Sequence, residues 1–238
     1  MIQGKNLTKV FLKSISNRHT AVVGMTRSGK TFLCNLILTQ LQSMGIHTIF
    51  FDPKHDRDYA SLGTICTTPM QFYAQILLKN PSIVYRPPGG KQERQEHLTE
   101  IIDIVFRAAR NKKLRRIKRV IAIDEIQLVV KKGGHDGVEK LWTVGAGLGI
   151  VGFAISQRIQ NLNETVWSQS ENKILFRVED RNEYLRSRNL NHFADLRNFF
   201  LDPAKRYWYY YTLGNGEWKK HPPAGERKKY TGPLRLKR

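Results

Sequence analysis

Residues Gly24-Met25-Thr26-Arg27-Ser28-Gly29-Lys30-Thr31 match the pattern GxxxxGK[ST] at every fixed position. Glycines at this spacing let the backbone wrap a chain of phosphates, while successive amides and the start of a following helix donate to the phosphate oxygens. Lys30 then reaches the β and γ oxygens of ATP, and Thr31 sets its hydroxyl on Mg²⁺. Such a loop binds a nucleotide without saying what is done with it, so an acidic site matters next. Arg119-Val120-Ile121-Ala122-Ile123-Asp124-Glu125 is an apolar run that ends in two adjacent acids. At a strand end Asp124 can hold the magnesium shell, while Glu125, pointing the other way, can polarise an attacking water. A third polar group, Gln157, follows the apolar run Val151 to Ile155. Its amide can hydrogen-bond both a terminal phosphate and the attacking water, and so can sense hydrolysis. Phe50-Phe51-Asp52-Pro53-Lys54 ends another apolar run; a plain strand-to-turn exit is an equal reading there.

These groups converge only if parallel strands deliver them to one edge of a sheet. Short β-branched runs alternate with longer helical periodicities along the chain, the signature of α/β layering. Strands are expected at residues 19–24, 47–52, 82–86, 119–124, 150–156 and 173–178, with the loop strand and the acid strand adjacent. Several are apolar on both faces, which implies helices on each side of the sheet. Leu33, Leu36, Ile37, Leu41 and Met44 share one helical face after Lys30, and Leu98, Ile101, Ile102, Val105, Phe106 and Ala109 repeat the arrangement. The aromatic stretch at residues 206–213 reads as a strand, with a Gly214-Asn215-Gly216 turn and a short strand after it. Its rings suit edge-strand packing or nucleobase stacking. The expected division is an ATPase domain over residues 1–218 and a basic, flexible tail over 219–238.

Forty Lys and Arg against twenty Asp and Glu leave a net charge of +20, an imbalance that suits a polyanionic partner. Two segments hold most of the excess: residues 107–119 carry +8 and residues 219–238 carry +7. Arg115 and Arg116 in the first, and Lys131 and Lys132 in the flexible Lys131-Lys132-Gly133-Gly134-His135 segment, are candidates to grip DNA phosphates. Solvated surface is the alternative for each. Cys34 and Cys66 form no CxxC or Cys/His cluster, which argues for a reduced intracellular setting and against structural zinc. No signal-peptide order opens the chain and no apolar run spans a bilayer. The expected location is therefore intracellular, without a transmembrane segment.

GMTRSGKT, FFDPK, VIAIDE and AISQR occur in the order and strand-end positions of the FtsK–HerA superfamily of DNA-pumping ATPases. The resemblance spans residues 22–178. In its small size the chain looks like the genome-packaging ATPases of tailless, membrane-containing double-stranded DNA viruses. Membership implies a RecA-like fold, a homo-oligomeric ring that is usually a hexamer, ATP at subunit interfaces and duplex DNA in the pore. It also implies capsid or membrane-vertex partners, with the host cytoplasm or the virion as location. The residues it maps are Lys30, Thr31, Asp124, Glu125 and Gln157. Relatives often carry an interface arginine just before the glutamine-bearing strand; here residues 141–149 contain none. Arg158, Arg94, Arg107 and Arg110 are the candidates for that arginine finger. Two other readings stand beside the DNA motor: a protein-secretion or phage-assembly ATPase, and a DNA-binding accessory protein that uses ATP as a switch.

Overall fold

The computed structural model describes residues 7–130, 135–178 and 193–225. Successive residues of the apolar runs face opposite ways. Ala21, Val23, Ile49, Phe51, Ile121 and Ile123 enter one apolar layer, and Val22, Phe50, Val120 and Ala122 enter a second on the other side. Strands with no polar face must be covered on both sides. The strands are β1 (Thr20–Val23), β2 (His47–Phe51), β3 (Thr64–Cys66), β4 (Ser82–Tyr85), β5 (Arg119–Ile123), β6 (Ile150–Ser156), β7 (Asn172–Leu175), β8 (Tyr209–Thr212) and β9 (Lys219–His221). They form one sheet in the order β3-β4-β2-β5-β6-β1-β7-β8-β9. Pairing is parallel from β3 across to β7 and antiparallel for β8 and β9.

Helices α1 (Lys9–Ile15) and α2 (Lys30–Ser43) cover one face. The other is covered by α3 (Pro69–Leu77), α4 (Lys91–Arg110), α5 (Asp136–Val144), α6 (Glu164–Gln169) and α7 (Phe193–Leu201). The mainly parallel sheet, the helices on both faces and the C-terminal hairpin are as expected. No helix among the described residues is long and apolar enough to cross a membrane.

Three expectations need correction, and one strand has no counterpart among them. The loop strand β1 and the acid strand β5 are not neighbours, because β6 lies between them and pairs with both. Strand β3 went unread, since Thr64 and Ile65 are exposed and an edge strand of three residues leaves little apolar alternation. Met44 caps α2 at 45% exposure instead of lying on its buried face. Lys219–His221 pair with β8, so the composition boundary at residue 218/219 cuts through the hairpin. The rest of the tail, from residue 226, lies outside the described residues.

Polar residues inside this sheet each have a fixed task. Asn172, fully buried, accepts from the Ser14 hydroxyl at 2.7 Å and the Gly214 amide at 3.1 Å, and its own amide donates to Ser14 O and Thr20 Oγ1. It thereby ties α1, β1 and the hairpin turn to β7. His19 Nδ1 accepts from the Gly152 amide at 2.9 Å, and its ring stacks on Trp142 with centroids 5.5 Å apart. Burial pushes the His19 pKa down to about 4.

The unfolded chain therefore takes up a proton near pH 6.5 that the fold refuses, so this contribution to stability is present above that pH and is lost as pH falls toward 4. Between pH 7 and pH 4 the wild type should lose on the order of 3 kcal/mol more than His19→Gln. Urea unfolding midpoints of both proteins across that range check it.

Candidate active site

The loop from Gly24 to Lys30 has little freedom. The Gly24 amide donates to Ser156 O at the end of β6, and the Met25 amide donates to Arg177 O just past β7. A Cβ at Gly24 would lie 2.4 Å from Phe176 Cβ and 2.9 Å from Ser28 Oγ, so only glycine fits. Gly29, at φ 102, occupies the left-handed region at the N-cap of α2 and turns the chain into the helix. Lys30 folds back over the loop, donating from Nζ to Gly24 O and, at 3.1 Å, to Met25 O. Burial lowers its pKa, opposed chiefly by the charge of Glu125. The Ser28 hydroxyl, 3% exposed, has no hydrogen-bond partner. A buried cation short of countercharge and a buried hydroxyl short of a partner are what a phosphate group would satisfy.

Strand β5 delivers Asp124 and Glu125 to the same edge. Asp124 is 6% exposed, and burial pushes its carboxyl up to about 7, Glu125 adding to the shift and Lys54 opposing it. The Tyr59 hydroxyl donates to Asp124 Oδ1 at 3.4 Å, its ring held against Phe50 with centroids 4.1 Å apart. Thr31 and Asp124 are the oxygen donors that could hold a divalent cation. Glu125 sits in the left-handed region at φ 43 and is 8% exposed. Its Oε1 accepts from Lys54 Nζ at 2.8 Å and from Gln157 Nε2 at 2.7 Å, and its Oε2 accepts from Gln127 Nε2. The inserted strand β6 is what places Gln157 between the loop and the acids.

Sequence reasoning left two of these contacts unread and one open. Gln127 had no signal beyond lying two residues past Glu125, and Tyr59 stands in a connecting 3₁₀ turn without a motif. Of the open Asp52-Pro53-Lys54 segment, only Lys54 reaches the acids. Asp52, fully buried, is occupied by Arg86 Nε at 3.0 Å and the Asp56 amide at 3.1 Å, which brace the turn.

None of the remaining candidates among the described residues forms an ion pair with Asp124 or Glu125. Arg115 and Arg116 are exposed in the connection that enters β5, at the opposite end of the strand from Asp124. Lys131 and Lys132 lie outside the described residues; His135 beside them caps α5, its Nδ1 accepting from the Val138 amide. Arg158 is exposed immediately after Gln157, and Arg107 and Arg110 line an open groove of about 650 Å³ with Asp103 and Lys140. Arg94 lies in the first turns of α4, its Nε buried without a hydrogen-bond partner.

A glycine-built phosphate loop, an acid pair on another strand and a glutamine on the strand between them define a P-loop ATPase with an inserted strand. The family model for the central domain of helicase HerA matches residues 1–206, and the chain belongs to that family. No curated protein matches it. Among solved structures it is similar to the genome-packaging NTPase B204 of Sulfolobus turreted icosahedral virus 2 in complex with AMPPCP. That match has a TM-score of 0.70 and 19% identity over 87% of this chain and 98% of that one. VirB4 of Thermoanaerobacter pseudethanolicus gives 0.69 and 12% over 95% and 96%. The cytoplasmic domain of the type VII secretion ATPase EccC of Thermomonospora curvata gives 0.61 and 14% over 87% and 25%. These likenesses are of fold.

Gly24→Ala should displace the loop from Phe176 and weaken ATP binding at least tenfold, with the protein still folded. Nucleotide titration beside a circular dichroism melt checks it.

Proposed function

We propose that this protein is an ATP-hydrolysing motor that moves double-stranded DNA, working as a ring of identical subunits that loads a viral genome into a capsid. The observation that carries the hydrolytic part is the Gln157 amide on the Glu125 carboxylate, 2.7 Å away. A protein that used ATP only as an assembly switch would need no carboxylate poised for water and coupled to a neighbouring strand. Glu125 takes the role of general base and Gln157 that of sensor; Lys30 and the amides of Gly24 to Thr31 hold the phosphates. The Thr31 hydroxyl and the Asp124 carboxylate form an oxygen-only donor pair suited to Mg²⁺, which takes one or two protein ligands alongside phosphates and water. No larger His, Cys, Asp or Glu cluster exists among the described residues. Bound there, Mg²⁺ would neutralise charge on the phosphates and relieve the strain of burying Asp124.

The cations at the site are compatible with the ring reading. Among the described residues the cations reaching the acid pair are Lys30 and Lys54, and no arginine joins them. We assign the missing arginine to the neighbouring subunit, with Arg158 the first candidate and Arg94, Arg107 and Arg110 the others. The net charge of +20 supports DNA as cargo. Arg115 and Arg116, at the opposite end of β5 from Asp124, are proposed to touch its phosphates, as are Lys131 and Lys132.

Two predictions test this reading. Lys30→Ala should lose nucleotide binding, whereas Glu125→Gln should bind ATP normally and turn over about 10²–10⁴-fold more slowly; titration and phosphate-release assays separate the two. Duplex DNA should raise the turnover of the wild-type ring, whose mass is read by light scattering. Binding of that DNA should weaken with salt, and replacing both Arg115 and Arg116 by alanine should flatten the log–log slope by about 2. Turnover indifferent to DNA, with no salt-dependent binding, would redirect the function to protein secretion.

A further inference from the structure

We infer that Tyr207 forms the base-side wall of the nucleotide site, a stacking platform for the nucleobase of the bound triphosphate. The inference rests on the reading of Gly24 to Thr31 as a phosphate loop and extends that site beyond residue 206, where the family match ends.

The strand order sets the direction in which a nucleotide must lie. Strands β6 and β5 stand on one side of β1 and bring Gln157 and Glu125 to that flank of the loop. The reacting phosphate belongs there, so the nucleoside end runs toward the other flank, built by β7 and β8. On that flank Phe176 packs under Gly24, and the Met25 amide is held by Arg177 O. Tyr207, half-buried, brings its ring to the N-terminus of α2: Cδ1 lies 3.6 Å from where a Cβ at Gly29 would stand.

The rings that follow it pack within the hairpin and its neighbours. Trp208 meets Phe199, Tyr209 packs on Phe176, Tyr210 stacks on Trp218 and Tyr211 meets Phe11. Tyr207 and Phe176 are the two rings that border Gly29, and Tyr207 is the one that comes from the aromatic run. Its position is fixed by its neighbours in sequence, the 3₁₀ turn Pro203–Lys205 before it and buried Tyr209 after it. The Arg206 guanidinium lies 5.4 Å from its ring centroid. An aromatic plane with a cation beside it, next to a phosphate cradle, is the chemistry that receives a base: every base has a π-face, and arginine adds a cation–π contribution.

The test compares two probes on the full chain with magnesium present: ATP, which has a base, and inorganic tripolyphosphate, which has none. Tyr207→Ala should weaken ATP binding by about five- to 150-fold while tripolyphosphate affinity stays within about twofold. Tyr207→Phe should bind ATP as the wild type does. Tyr207→Leu, which keeps apolar volume but no stacking plane, should behave like the alanine variant, and tripolyphosphate binding reports that each variant is folded. Unchanged ATP affinity in Tyr207→Ala and Tyr207→Leu overturns the inference, as does an equal loss of both probes, which would make Tyr207 a support of the loop alone. A wild type that binds neither probe overturns the phosphate-loop reading, and the inference falls with it.

Discussion

Three separate segments converge on one carboxylate. Glu125 takes Lys54 from the end of β2, Gln157 from the end of β6 and Gln127 from its own turn, all against a side chain that is 8% exposed. A buried carboxylate needs this company, because removal from water costs several kcal/mol unless charge and hydrogen bonds replace hydration. Asp124 beside it is less well supplied, and its raised pKa is the measure of that. The edge of the sheet is thus charged and only partly compensated, a state that a nucleotide with its cation would complete. The strand order, the left-handed turn at Glu125 and the placement of the phosphate loop all serve this one cluster.

The cluster can be held in a strained, charged arrangement because the sheet beneath it is rigid. From β4 to β7 the strands are buried on both faces, and their side chains alternate between two continuous apolar layers. Such packing resists small displacements. The polar exceptions are internal ties: Asn172 locks the hairpin turn to α1, and the guanidinium of buried Arg119 donates to the carbonyls of Leu114 and Ile117. Arg119 therefore fastens the basic connection between α4 and β5 to the sheet that carries Asp124 and Glu125 at its far end.

That arrangement separates two kinds of chemistry along one strand. The carboxyl end of β5 holds Asp124 and Glu125, and its amino end meets the exposed, basic connection. The two ends are joined by a strand that is buried at every residue from Arg119 to Ile123.

The glycine-rich loop, the acid pair and Gln157 were legible as positions because each is a short covalent motif at the end of an apolar run. The same holds for the strands buried on both faces, whose apolar character is continuous, and for α2 and α4, whose buried stripes follow the helical period. What the sequence could not supply is which strand lies beside which. Alternation is the same for any lateral order, so the insertion of β6 between β1 and β5 appears only in the folded sheet. With it come Lys54 on Glu125 from 71 residues away, Tyr59 on Asp124, and Tyr207 at the helix start beyond Gly29. These partners carry no motif, because their role lies in spatial neighbourhood and not in spacing along the chain. Composition likewise counted the charge of residues 107–119 but could not tell that Arg115 and Arg116 sit at the opposite end of β5 from Asp124. Local chemistry was written in the chain, and the meeting of distant residues was decided by how the sheet assembled.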